Sequence, residues 1–206
     1  MNEASNKPAQ RGDVSEPAWD VAQLFPDQGT WSEEEYLALS SNRLVEFSHG
    51  DVEVLPMPTT SHQLIVAFLY RALLTYITAH ELGTVLFAPL RVRLWPGKFR
   101  EPDIVFLLAQ HASRIGEPFW EGADLVMEVV SDDDRRRDLE TKRREYAQAG
   151  IPEYWIVDPQ QARITVLRLE GASYVIHGEF PQGTQAISHL LPGFTVDVTA
   201  ALKVKP

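Results

Sequence analysis

A carboxylate embedded in an apolar strand is the most informative chemical feature of this 206-residue sequence. Glu128 interrupts the run Leu125-Val-Met-Glu-Val-Val130, where burying its charge is costly without compensation. In an extended strand Asp124, Val126, Glu128 and Val130 share one face, so Glu128 emerges on one side of a sheet, in a concave spot. A buried salt bridge to a nearby arginine is the plain alternative. Asp103 repeats the situation directly after Pro102, at the mouth of the apolar strand Ile104 to Leu108, where a turn or cap residue would look the same. Glu46, between Val45 and Phe47, is the third, and a solvent-facing position accounts for it equally well. If the three strands are neighbours, these carboxylates form an all-oxygen pocket suited to Mg2+ or Mn2+.

Basic residues accompany them. The segment from Glu128 to Glu145 holds 7 acidic and 6 basic residues, which ordinarily makes a solvated, ion-paired face. Lys142 differs in position, lying three residues after Leu139 and four before Tyr146, with Asp138 at i−4 on the same face. It either snorkels outward or points into the carboxylate pocket. Arg135, Arg136, Arg137, Arg143 and Arg144 are candidates for phosphate contacts, with surface solvation as the alternative. His62, at the start of a long helix, is placed to meet a phosphate among helix amides or to serve as a capping-region residue.

The elements that must position these groups follow from patterning. Residues 1–29, with Pro8, Pro17 and Pro26, read as an N-terminal extension, and 30–206 as one domain. Ser32 and Glu35 have capping-box spacing for a first helix through about Leu39. Leu44-Val-Glu-Phe-Ser and Val52-Glu-Val-Leu, separated by His49-Gly50-Asp51, predict a β-hairpin. Ile65, Phe68, Leu69, Ala72, Leu73, Tyr76 and Ile77 repeat at helical spacing between Ser61 and about Glu81. Strands are predicted over 84–95, 102–108, 124–130 and 153–158, with a charged helix over roughly 134–149 before the last. Shorter strands follow around 162–169, 173–180 and 194–198. The pattern is α/β, a mixed central β-sheet flanked by helices.

Composition narrows the chemistry. With 44% hydrophobic and 23% charged residues the chain can bury a sizeable core. Its lack of cysteine excludes disulfides, thiolate metal sites and cysteine nucleophiles, and accords with a cytoplasmic protein. A net charge of −10 argues against polybasic coating of nucleic acid but allows a local phosphate site. The longest strictly apolar run, Leu64 to Tyr70, is 7 residues, so no membrane partner is expected.

The order of Leu44-Val-Glu46-Phe-x-x-Gly50, Met57-Pro-x-x-x-His62, Glu101-Pro-Asp103, Val126-Met-Glu128-Val-Val-Ser131, Asp138-x-x-x-Lys142-x-x-x-Tyr146-Ala-x-x-Gly150 and Glu153-Tyr-Trp-Ile-Val-Asp158-Pro resembles the Uma2 family. That family, formerly a domain of unknown function, is placed in the PD-(D/E)xK restriction-endonuclease-like superfamily. The resemblance runs from about Trp31 to about Leu169. It implies a restriction-endonuclease-like core in which Asp103 and Glu128 are the metal-binding acids and Glu46 an additional acid. Val130 stands where the superfamily lysine would be, and Lys142 resembles a relocated lysine. His49 before Gly50 and Asp132 after Ser131 depart from the usual pattern without touching the proposed ligands. His62 and Tyr146 are secondary candidates.

The expected activity is metal-assisted phosphodiester hydrolysis, with Mg2+ or Mn2+ held by Glu46, Asp103 and Glu128, and Lys142 activating water or stabilising phosphoryl charge. Nucleic acid, DNA first, is the expected partner, with a homodimer left open. A catalytically silent nucleic-acid-binding or protein-interaction module of the same fold is the rival, and a phosphoesterase of small molecules a third possibility.

Overall fold

The computed structural model describes residues 26–40, 43–131 and 135–204. Helix α1 (Glu33–Ala38) begins at the expected capping box, in which the Ser32 hydroxyl accepts the Glu35 amide and the Glu35 carboxylate accepts the Ser32 amide. The hairpin of β1 (Val45–Ser48) and β2 (Asp51–Val54) turns through His49 and Gly50, both at positive φ, as a type I′ turn requires. Gly50 is obligatory there, since a Cβ would lie 2.6 Å from the Gly29 carbonyl oxygen. Most of the expected extension, residues 1–25, lies outside the described residues. Its last part packs: Gln28 pairs through its side-chain amide with both backbone groups of Val52, and the Gly29 amide donates to Gly50.

Helix α2 (Thr60–Ala79) is followed by β3 (Gly83–Phe87), β4 (Val92–Trp95), β5 (Lys98–Arg100) and β6 (Ile104–Leu108). After a 3-10 turn at Ala109–Arg114 come β7 (Trp120–Glu121) and β8 (Leu125–Val129). A π-helical turn (Arg137–Lys142) runs into α3 (Arg143–Gln148), then β9 (Glu153–Asp158), β10 (Arg163–Glu170) and β11 (Ser173–Pro181). The chain finishes with β12 (Gln185–Ile187), β13 (Thr195–Asp197) and α4 (Val198–Leu202).

The central sheet has the order β11-β10-β9-β8-β6-β3 and is mixed, because β8 and β9 run parallel while its other pairs are antiparallel. A parallel pair needs a crossover, and the π turn with α3 supplies it. One face of the sheet packs on Ile65, Leu69, Leu73 and Ile77 of α2, and the other on Tyr146 and Ala147 of α3. A second sheet, β2-β1-β5-β4-β7, carries a small core of Tyr36, Phe47 and Phe99. Within the charged helix expected over 134–149, Arg137–Lys142 form a wide π-helical turn. The Asp138 carbonyl, which in an α-helix would accept the Lys142 amide, accepts the Tyr154 hydroxyl at 2.9 Å. Among the described residues no helix is long and apolar enough to cross a membrane.

Candidate active site

Strand pairing brings the first two acids together. In β6 and β8, Ile104 is opposite Met127 and Val105 opposite Val126, so one further step of the antiparallel register sets Asp103 against Glu128. Both side chains lie on the sheet face that packs against α3, and both line one cavity of about 400 Å³. Asp103 is fixed by the Val129 amide, which donates to Oδ2 at 2.7 Å, and by His62 Nε2 at 3.2 Å. Thr59 caps α2 by accepting the His62 amide, so the helix start aims the imidazole at Asp103. Burial disfavours the charged imidazole, but the hydrogen bond and charge of Asp103 outweigh it and raise the His62 pKa. Its Nδ1 is buried and has no hydrogen-bond partner among the described residues.

The crossover brings the lysine. Lys142 Nζ lies 2.9 Å from Glu128 and 3.0 Å from Asp138 one turn earlier. Tyr146, a further turn along, donates its hydroxyl to Glu128 at 2.5 Å. Glu128 is 3% exposed and Lys142 5%. Burial pushes the Glu128 carboxyl up to about 7, and the charges of Asp103 and Asp138 add to it, against the pull of Lys142 and Tyr146. Burial alone would lower the Lys142 pKa; Glu128, Asp138, Glu46 and Asp103 together carry it above its ordinary value.

Glu46 occupies a different environment. It is 1% exposed, and its carboxylate is taken by Arg100 and Arg137 and by the Glu101 amide at 3.2 Å. Burial would raise its pKa, but Arg100, Lys142 and Arg137 bring it down to about 2. It is not among the residues lining the cavity; Arg137, which also binds Glu53, stands between. The single pocket of three carboxylates expected from the sequence thus divides into two groups: Asp103 and Glu128 share the cavity, and Glu46 is saturated by cations behind it.

The cavity's donors fit one class of metal. Among the described residues no set of three or more histidine or acidic side chains is arranged to hold a metal ion. Two carboxylates opening on one cavity nonetheless match a hard divalent cation such as Mg2+, which takes one or two carboxylates and keeps several waters.

Of the arginines considered for phosphate contacts, Arg135 pairs with Asp158 at 2.5 Å, Arg136 with Glu140 at 3.0 Å, and Arg143 donates to the Tyr174 carbonyl. The sequence reading gave no site role to Asp138, Glu101 or Arg100. Asp138 was visible as the i−4 partner of Lys142. Glu101 lines the cavity and accepts the Val45 amide; burial pushes its carboxyl up to about 7, and its place in the Glu101-Pro-Asp103 motif was the one signal of it. Arg100 binds Glu46 and, at 2.7 Å, Glu145, and its strand of three residues is too short to announce itself by periodicity.

A search of curated proteins finds no match. Five solved chains match in structure. One of them, a putative nuclease of DUF820 from Anabaena variabilis, superimposes with a TM-score of 0.70 at 16% identity, covering 84% of this chain and 97% of its own. At that identity the likeness establishes a shared fold. The Uma2 family model, described as putative restriction endonuclease, matches residues 33–199, most of the chain, and places this protein in the Uma2 family.

Proposed function

We propose that this protein is a divalent-metal-dependent nuclease that hydrolyses phosphodiester bonds in nucleic acid, DNA first, at the cavity between β6, β8 and the π turn. The observation that carries the reading is the register-matched pair Asp103 and Glu128, opening on one cavity beside a buried lysine. The two carboxylates would hold Mg2+ or Mn2+. That cation, when bound, supplies a water of lowered pKa and shields the phosphate's charge. The chain's own residues do the rest. The Val129 amide and His62 orient Asp103, and Tyr146 orients Glu128. Lys142 donates to phosphoryl oxygens as charge develops on them. Glu46 acts from behind, anchoring Arg137 at the cavity wall.

The test is cleavage of plasmid, single-stranded DNA, RNA and nucleotide esters in Mn2+ and Mg2+, with chelator as control. Activity should vanish with chelator and fall by orders of magnitude in Asp103→Ala and Glu128→Ala. A second reading, a silent binding module, draws on the protein-supplied cation beside each acid, His62 at Asp103 and Lys142 at Glu128. Failure of wild type to bind Mn2+, with no cleavage of any of these substrates, would decide for the module.

A further inference from the structure

One wall of the cavity takes no part in hydrolysis. Leu55, Pro56, Met57 and Pro58, which link β2 to α2, line it together with Leu44 and Ile65. Met57 is 67% exposed, so this wall faces outward at the cavity mouth. The cavity, about 400 Å³ in volume, is of a size typical of small-ligand sites. An intact duplex cannot be drawn into it, whereas one nucleotide unit fits.

Charge leads the same way. Gripping a duplex depends on rows of cations along several phosphates. Of the arginines from 135 to 144, Arg135 has Asp158, Arg136 has Glu140, Arg137 has Glu46 and Glu53, and Arg143 donates to the Tyr174 carbonyl, while exposed Arg144 lines, with Arg143, a different pocket from the one that holds Asp103 and Glu128. Inside the cavity Lys142 is shared by Glu128 and Asp138, and the chain as a whole carries −10. Cationic support is thus concentrated at a single reacting phosphate.

We infer that the site takes an unpaired nucleotide of a single strand, with its phosphodiester at Asp103 and Glu128 and its base against the wall formed by Leu55 to Pro58, and that it rejects the interior of a duplex. Apolar side chains commonly hold an extruded base by contact with its faces. The inference rests on the phosphodiesterase reading above, and its test separates the two.

The substrates are a short labelled single strand and a covalently closed dumbbell duplex of the same sequence, which has no ends to fray and whose cleavage is scored only within the paired stem, not in its loops. In Mn2+ the wild-type protein should cut the single strand about 100-fold faster, because the dumbbell must first be unpaired. Binding followed by anisotropy, with Ca2+ in place of Mn2+, should favour the single strand. Its log K should fall with log salt at a slope near −1, corresponding to about one or two phosphates. Met57→Ser and Leu55→Asn should each raise KM for the single strand about 5- to 10-fold, more than they lower kcat, as loss of a binding contact does. Comparable cleavage of the dumbbell, or a salt slope steeper than about −4, overturns the single-strand inference and leaves the nuclease reading standing. An unchanged KM in both wall variants overturns the placement of the base. Absence of cleavage on both substrates overturns the inference together with the nuclease reading.

Discussion

Replacing Glu46 and Glu128 by their neutral isostere should move the stability of the metal-free protein in opposite directions. The Glu46 carboxyl is lowered from 4.5 to about 2. At about 1.36 kcal/mol per pKa unit, that difference means the charged form contributes about 3 kcal/mol of stability. Because the folded pKa is depressed, the contribution is present above the ordinary carboxylate range and lost as pH falls through about 2. Glu128 is raised from 4.5 to about 7, so its charged form costs up to about 3 kcal/mol. That cost is absent below about pH 4.5, grows as pH rises to about 7, and is constant above. In melts near pH 8 with chelator, Glu46→Gln should lower Tm by about 6 to 12 °C, while Glu128→Gln should hold or raise it. Near pH 5 the difference between Glu128→Gln and wild type should shrink, since both are then largely uncharged at this position. A loss in Glu128→Gln as large as that in Glu46→Gln would refute the reasoning, because it would make Glu128 one half of a structural ion pair.

Three further outcomes follow from the same geometry. Mn2+ at about 100 times its Kd should stabilise wild type by about 2.7 kcal/mol, seen as a rise in Tm; the rise should disappear in Asp103→Asn and Glu128→Gln and persist in Glu46→Gln, and its loss in Glu46→Gln would return Glu46 to the ligand set. Lys142→Met should reduce cleavage by about 100-fold or more and cost about 3 to 5 kcal/mol by leaving Glu128 and Asp138 without their cation; steady-state kinetics and denaturant unfolding read the two effects separately. Glu153→Ala should destabilise by about 3 kcal/mol or more in unfolding titrations, because it strands the Trp155 indole, the Ser188 hydroxyl and the amides of His189 and Leu190, yet leave metal binding by the folded fraction intact.

What the sequence could announce was whatever strand and helix periodicity controls. Asp103 and Glu128 each stand out as a charge beside an apolar run, and antiparallel register then makes them neighbours without help from distant residues. Lys142 was legible because Leu139 and Tyr146 define the inward face of its helix. Glu46 shows where this reasoning stops. Its surroundings depend on Arg100, in a three-residue strand directly after the turn at Pro96 and Gly97, and on Arg137, one arginine among several in a dense charge run. Nothing in spacing selects that arginine over its neighbours. The π turn was hidden for a similar reason, since the Tyr154 hydroxyl that takes the Asp138 carbonyl comes from a strand later in the chain. Glu153 likewise reads as an ordinary strand start, and its partners other than Trp155 lie 35 to 37 residues downstream.

The balance of buried charge separates a site from a scaffold in this fold. Around Glu46 the carboxylates are Glu46 and Glu145, facing Lys98, Arg100 and Arg137, with Arg137 also serving exposed Glu53. That group is fully compensated, and its acids are pulled below their ordinary range. On the cavity side, among the described residues, Asp103, Glu128 and Asp138 have ion pairs with Lys142 and His62, while Arg137 at the cavity wall is held by Glu46 and Glu53. Glu101 has Arg91 no nearer than 3.8 Å, and that guanidinium donates to the carbonyls of Leu37 and Leu39. Among the described residues the cavity side is thus short of cations, and burial, with the charges of Asp103 and Asp138 added at Glu128 and that of Glu46 at Glu101, pushes both carboxyls up to about 7. A self-contained ion-pair network would have no reason to leave one half compensated and the other short of a cation. A divalent ion at Asp103 and Glu128 would offset that excess of negative charge and so let a phosphate approach a protein of net charge −10.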